Sequence, residues 1–151
     1  MARVKDIGIE EVRADARPVY ERFVADYGPF MNQVRVFAHR PPALKHVMGL
    51  LLELQEERLL SKRHLEIALV VVSQLNECAY CVSHHTPRLV DQGFTPETIA
   101  HLLDAQVPGF DAVDLLVRDY AVQVTNTPQR IPEALFVRLR QHFSEDRKSV
   151  V

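Results

Sequence analysis

The sequence predicts an all-α protein, a single-domain bundle of about six to eight helices. Three observations lead to this prediction. Only five of the 151 residues are glycine, which leaves little room for hairpin turns. Several of the nine prolines stand where a helix should begin. Apolar residues recur at helical spacing through most of the chain.

Each helix is expected between a start signal and a stop signal. Ser61, Thr95 and Asp111 are suitable N-caps, because their side chains can accept a backbone N–H of the first turn. Gly28 and Gly93 are natural stops. The expected helices cover residues 12–27, 31–39, 42–57, 62–76, 78–92, 96–105, 112–126 and 132–143.

The helix over residues 62–76 is apolar nearly all round from Leu65 to Val72, so we expect it to be central and buried. Its run of valines also admits a buried strand, but the length and the serine cap favour a helix. Glu66 is the exception within this stretch. A buried carboxylate needs a partner or has to be protonated. The alternative is a surface position with Glu66 paired to Lys62.

Composition limits the classes of function. The formal net charge is −2 and no long basic run occurs, so nucleic acid is not an expected partner. The longest apolar stretch, Ile67 to Val72, is too short to span a membrane. The start of the chain, Met1 to Asp6, lacks the apolar segment of a signal peptide. These features predict a cytoplasmic protein.

Both cysteines of the chain lie within four positions, Cys78 and Cys81. Their sulfurs can reach bonding distance with little backbone movement, so the pair can alternate between dithiol and disulfide. If this segment is helical, His85 lies one turn beyond Cys81 on the same face. A histidine there can take the thiol proton near neutral pH and leave the nucleophilic thiolate. The pattern indicates a redox and proton-transfer site.

Residues 66–85 form a longer motif: a glutamate, eleven residues, Cys-x-x-Cys, three residues and a histidine. This motif resembles the core of the alkylhydroperoxidase branch of the carboxymuconolactone decarboxylase-like family, and weaker similarity extends over residues 1–151. The resemblance implies an all-helical, homo-oligomeric protein (dimer, trimer or hexamer). It also implies an enzyme that needs no cofactor, with a hydroperoxide as substrate and an external thiol or dithiol as reductant.

The resemblance assigns a role to each of the four residues. Cys81 is the peroxidatic cysteine that attacks the O–O bond, and Cys78 is the resolving cysteine that closes the disulfide. His85 and Glu66 form the proton relay that activates Cys81. The positive end of a helix, in contrast, favours a thiolate at Cys78, which lies nearer the helix start. The expected contact between Cys81 and His85 decides for Cys81.

Three neighbouring residues need separate interpretation. Tyr80 stands where some family members have a histidine, and a tyrosine does not titrate near pH 7. Pro87 lacks a backbone donor and is expected to kink the helix or to start a new one at Thr86. His84 is expected to face solvent or a neighbouring subunit.

Alternative functions remain open at this point. Cys78, Cys81, Glu66 and one of His84 or His85 could supply the four ligands of a zinc site. The other branch of the family consists of cofactor-free lactone decarboxylases, whose chemistry does not need a cysteine pair. A third alternative is an oligomeric module that retains the motif without catalysing a reaction.

Overall fold

The computed structural model describes residues 3–28 and 31–145 of the chain. Within these ranges it contains eight α-helices and no strand, which confirms the predicted all-α fold. The helices are α1 (Arg17–Tyr27), α2 (Met31–Phe37), α3 (Pro41–Ala43, a π-helical turn Leu44–Met48, and Gly49–Glu57), α4 (Lys62–Leu75), α5 (Ala79–Val90), α6 (Pro96–Ala100), α7 (Ala112–Asn126) and α8 (Glu133–His142). Short 3-10 turns occur at Ile9–Glu11, Ala14–Ala16 and Pro128–Arg130.

Contacts divide the chain into two compact units, Met1–Arg58 and Leu59–Val151. The expected single-domain organisation therefore stays a prediction. In the first unit, α1, α2 and α3 pack around their own apolar core. Phe23, Val34 and Leu44 are almost completely buried there.

The second unit is built around α4, which packs against α5 and α7. Ile67, Val70 and Val71 of α4 are completely buried. The side chain of Ser61 accepts the N–H of His64 at 3.1 Å and so caps the helix as expected. The strand alternative for this segment is wrong, because the capped helix is 14 residues long.

One of the two alternatives for Pro87 is excluded, and one helix end differs from expectation. The cysteine helix continues through Pro87 to Val90, so no new helix begins after Thr86. Helix α6 ends at Ala100 rather than near residue 105. The segment that follows α6 is bound by α7, because the guanidinium of Arg118 donates to the carbonyl oxygens of Leu102 (3.2 Å) and Asp104.

A buried ion pair joins the start of α4 to the start of α7. Asp114 is fully buried, and Arg63 donates to both of its oxygens, with Nε 2.9 Å from Oδ1 and Nη2 2.6 Å from Oδ2. The same guanidinium lies 4.1 Å from the centre of the Phe94 ring and donates to the carbonyl of Gly109 at 3.3 Å. The hydrogen bonds to Asp114 raise the pKa of Arg63. Arg63 therefore fixes two loops of this unit against α4.

Removing the acidic partner of this ion pair should destabilise the protein strongly. In Asp114→Ala the guanidinium of Arg63 loses its partner in a largely apolar site. We expect the free energy of unfolding to fall by about 2–4 kcal/mol. Urea denaturation followed by circular dichroism measures this change. Glu133→Ala, which removes the exposed pair with Arg140, is the control and should cost at most about 1 kcal/mol. Equal losses in the two variants would contradict the structural role of Asp114.

His64 should make stability depend on pH. Burial lowers the pKa of His64, against the opposing effect of Asp114, so the unfolded chain takes up a proton before the folded chain does. The contribution of His64 to the free energy of unfolding is therefore fully present above about pH 6.5, the pKa of an unfolded histidine. As the pH falls below that value, this contribution decreases by up to about 1.4 kcal/mol per pH unit. His64→Phe keeps a ring beside Phe143 and should show a smaller loss between pH 7.5 and 5.5 in urea titrations. Parallel curves for the two proteins would disprove this assignment.

Candidate active site

A buried carboxylate and an imidazole form the centre of the candidate site. Glu66 lies in α4 and is only 6% exposed, and its Oε2 is 2.8 Å from Nδ1 of His85 in α5. Of the two alternatives for Glu66, the buried one is therefore correct, and the surface pair with Lys62 is wrong. A carboxylate can only accept, so Nδ1 carries the hydrogen of this contact. Proton exchange by the neutral imidazole then falls to Nε2.

The two cysteines lie at the start of α5, and their sulfurs are bonded as a disulfide with Cα atoms 5.3 Å apart. Helix α5 begins at Ala79, so Cys78 occupies the N-cap position rather than the first helical position. Its sulfur accepts the N–H of Cys81 at 3.2 Å. Cys81 lies inside the helix, one turn before His85. The two cysteines therefore have different surroundings. Cys78 lies at the N-terminus of the helix, whose positive end favours a thiolate, and Cys81 lies one helical turn before His85.

The structure places the four expected residues on α4, on α5 and at the N-cap of α5. Contact between Glu66 and His85 comes from the packing of these two helices. Because the carboxylate holds Nδ1, it fixes the orientation of the ring and stabilises a positive charge on it. Such an arrangement can remove a proton from a nearby thiol and return it to a leaving group.

Arg88 is a member of this site that the sequence analysis missed. Its Nη1 lies 3.8 Å from Oε1 of Glu66, so each oxygen of the carboxylate has a nitrogen of α5 nearby. The spacing could have indicated it. Arg88 follows His85 by three residues, which puts both side chains on one face of the helix.

Tyr80 and His84 form a second pair on α5. Their ring centres are 4.3 Å apart, and Nδ1 of His84 is 3.0 Å from the hydroxyl oxygen of Ser83. Burial raises the pKa of Tyr80 above the ordinary tyrosine value. Tyr80 is therefore unsuited to a proton relay near pH 7, in agreement with the expectation from its residue type.

The zinc alternative finds no support in this geometry. Within residues 3–28 and 31–145, no three histidine, cysteine, aspartate or glutamate side chains are grouped so that they could hold a metal ion. The two sulfurs are bonded to each other, and Nδ1 of His85 is used by Glu66.

Within residues 3–28 and 31–145, no helix has the length and apolar character needed to cross a bilayer.

The fold and the site define a class: a helical protein with a cysteine pair at the start of one helix and, one turn further on, a histidine bound to a buried glutamate of the neighbouring helix. Residues 41–113 match the sequence model of the carboxymuconolactone decarboxylase family. This match covers just under half of the chain and contains all four motif residues. It confirms the resemblance to the carboxymuconolactone decarboxylase family over these residues.

A curated relative is similar over part of its length. The uncharacterized protein YdfG of Bacillus subtilis (strain 168) is 29% identical over 84 residues, which are 54% of this chain and 56% of that protein. The chain thus spans little more than half the length of this relative. No solved structure matches the chain.

Proposed function

We propose that this protein is a thiol-dependent hydroperoxide reductase of antioxidant type. The substrate is a hydroperoxide, and an external thiol or dithiol is the reductant. One observation carries the proposal: a buried glutamate holds the imidazole of His85 one helical turn after Cys81, whose sulfur can bond to that of Cys78. The family match supports it, since this family includes alkylhydroperoxidases as well as decarboxylases.

The first step is the reduction of the peroxide. Nε2 of His85 takes the proton of the Cys81 thiol, and the thiolate attacks one peroxide oxygen. The O–O bond breaks, and the alcohol leaves with the proton that the imidazolium returns. Cys81 is oxidised to a sulfenic acid, and the hydroperoxide is reduced to the alcohol.

The second step closes the disulfide. The Cys78 thiol attacks the sulfur of the sulfenic acid, the new S–S bond forms, and the hydroxyl group leaves as water with the thiol proton. Two external thiol groups then reduce this bond by exchange, and they are oxidised to a disulfide themselves. The bonded cysteine pair in the structure corresponds to the oxidised form of this cycle.

Glu66 supports the first step without touching the peroxide. An imidazole that becomes charged in a partly buried place needs a compensating charge. The carboxylate supplies it at 2.8 Å and keeps the ring in one orientation. A cofactor is not needed for any of these steps, and we place the reaction in the cytoplasm, where thiol reductants are abundant.

The lactone decarboxylase activity is the alternative within the same family. That chemistry does not use a cysteine pair, whereas both cysteines of this chain lie at the start of the helix that carries His85, the partner of Glu66. The thiol reaction accounts for all four motif residues, and the decarboxylase reaction leaves two of them without a role. For this reason we prefer the hydroperoxide reductase.

The cysteine chemistry is tested by treating the reduced protein with a small excess of cumene hydroperoxide. Both thiols should disappear, and the mass should fall by about 2 Da without formation of a covalent dimer. In Cys78→Ser, Cys81 should give a sulfenic acid that dimedone traps. Cys81→Ser should lose its remaining thiol at least about tenfold more slowly. Tyr80→Phe is the matched control on the same helix and should react like the parent.

Two results would change this assignment. Unchanged thiols in the folded, reduced parent would refute the hydroperoxide reductase and favour the decarboxylase or the non-catalytic module. A faster reaction in Cys81→Ser than in Cys78→Ser would make Cys78, at the helix N-terminus, the peroxidatic cysteine.

The homo-oligomer implied by the family is part of the proposal. In the first unit, Val47, Leu50 and Leu51 of α3 are 45%, 53% and 40% exposed and form one apolar face. A second copy of the chain covering this face would remove it from water. Light scattering should give a multiple of the 17.3 kDa subunit mass, and Leu50→Glu should reduce that mass. A monomeric parent protein, or an unchanged mass in Leu50→Glu, would contradict this interface.

A further inference from the structure

We propose that Arg88 is a positioning residue of the active site, whose permanent positive charge balances the negative charge of Glu66 while His85 gains and loses its proton. The inference rests on the proposed function, since it concerns the proton relay of the same site. It starts from the ion pair in which Nη1 of Arg88 lies 3.8 Å from Oε1 of Glu66.

The geometry gives the two oxygens of Glu66 different partners. Oε2 accepts the Nδ1 hydrogen of His85 at 2.8 Å, a short hydrogen bond. Oε1 faces the guanidinium at 3.8 Å, which is an ion pair rather than a hydrogen bond. Both nitrogens belong to α5, whereas the carboxylate comes from α4. Arg88 thus acts on Glu66 mainly through its charge, and on His85 only through Glu66.

A permanent charge matters because the charge of His85 changes in each cycle. When the imidazole is neutral, the buried carboxylate would have no cation beside it if His85 were its sole partner. A buried charge without a counter-charge is costly. A guanidinium stays charged at every working pH, so Glu66 keeps a cation beside it in both states of the relay. The negative charge of Glu66 is then balanced whether or not His85 is charged, and the proton moves at Nε2 of His85.

The other ionisable groups on the neighbouring helices are engaged elsewhere or exposed. In α7, Asp114 binds Arg63 of α4, and Arg118 binds Asp119 and two carbonyl oxygens. In α6, Glu97 is exposed. On α4, Lys62 is exposed and His64 lies near Asp114. On α5, Tyr80 and His84 stack on each other, and Cys81 is in the disulfide. On α7, Tyr120 packs against Phe136. Arg88 is therefore the cation that the described contacts bring to Glu66 besides His85.

The test measures how fast iodoacetamide alkylates Cys81 at different pH values, in a Cys78→Ser background with a single thiol. Removing a nearby cation makes the groups of the site bind protons more tightly. In Arg88→Gln and Arg88→Met, the pH of half-maximal rate should rise by about 0.5–1 unit, less than for a fully buried pair because Arg88 is 30% exposed. Arg88→Lys should restore the parent profile to within about 0.3 unit. Glu66→Gln should shift the profile in the opposite direction, and Arg140→Gln, an exposed arginine of the same unit, should leave it unchanged.

Opposite shifts for Arg88→Gln and Glu66→Gln, with rescue by lysine, would support the proposal, because loss of packing alone does not depend on the sign of the charge removed. A profile of Arg88→Gln or Arg88→Met that coincides with the parent would overturn it. A profile of Arg88→Lys shifted as far as those of Arg88→Gln and Arg88→Met would also overturn it. If only one of Arg88→Gln and Arg88→Met folds, its profile is sufficient to support or overturn the proposal.

The alkylation assay also separates this inference from the proposed function. It requires no peroxide, so it reports on Arg88 even if the protein does not reduce hydroperoxides. Unreactive thiols toward cumene hydroperoxide together with the expected shifts would refute the hydroperoxide reductase alone. Rapid peroxide reduction with no shifts would refute the role of Arg88 alone.

Discussion

The hydrogen bond between Glu66 and His85 is the interaction on which the site depends. A carboxylate at this depth is costly unless a partner from another element reaches it. The partner comes from α5, which packs against α4 through the same apolar core that contains Ile67 and Leu89. The contact that orients the imidazole is therefore part of the helix–helix interface, so the proposed proton relay depends on core packing.

Among the described residues of the second unit, two carboxylates are buried, Glu66 and Asp114, and their partners differ in kind. Asp114 is held by Arg63, whose planar fork donates to both oxygens. Neither proton exchange nor movement is needed there, and the pair only fixes loops. Glu66 has a histidine on one oxygen and an arginine near the other. One partner can release a proton and the other cannot, which suits a site that must keep its shape while its charge changes.

Local sequence signals predicted most of the helices, whereas the roles of the four motif residues came from the family resemblance and stay a prediction. Ser61, Thr95 and Asp111 cap the helices they were expected to start, because capping acts over three residues. Interactions between distant segments were not predictable in this way. Arg63 and Asp114 are 51 residues apart, and no periodicity relates them. The hydrogen bonds from Arg118 to the carbonyls of Leu102 and Asp104 likewise join segments that are 16 and 14 residues apart.

The position of Cys78 suits a helix that has to keep its start during redox cycling. In the disulfide, its sulfur already accepts the N–H of Cys81. A reduced Cys78 at the same N-cap position can accept this hydrogen, and a thiolate accepts it better than a bonded sulfur because it carries a full charge. On this reasoning we expect helix α5 to begin at the same residue in both redox states of the proposed cycle. The turn from Cys81 to His85, and with it the contact to Glu66, would then be preserved while the sulfurs react.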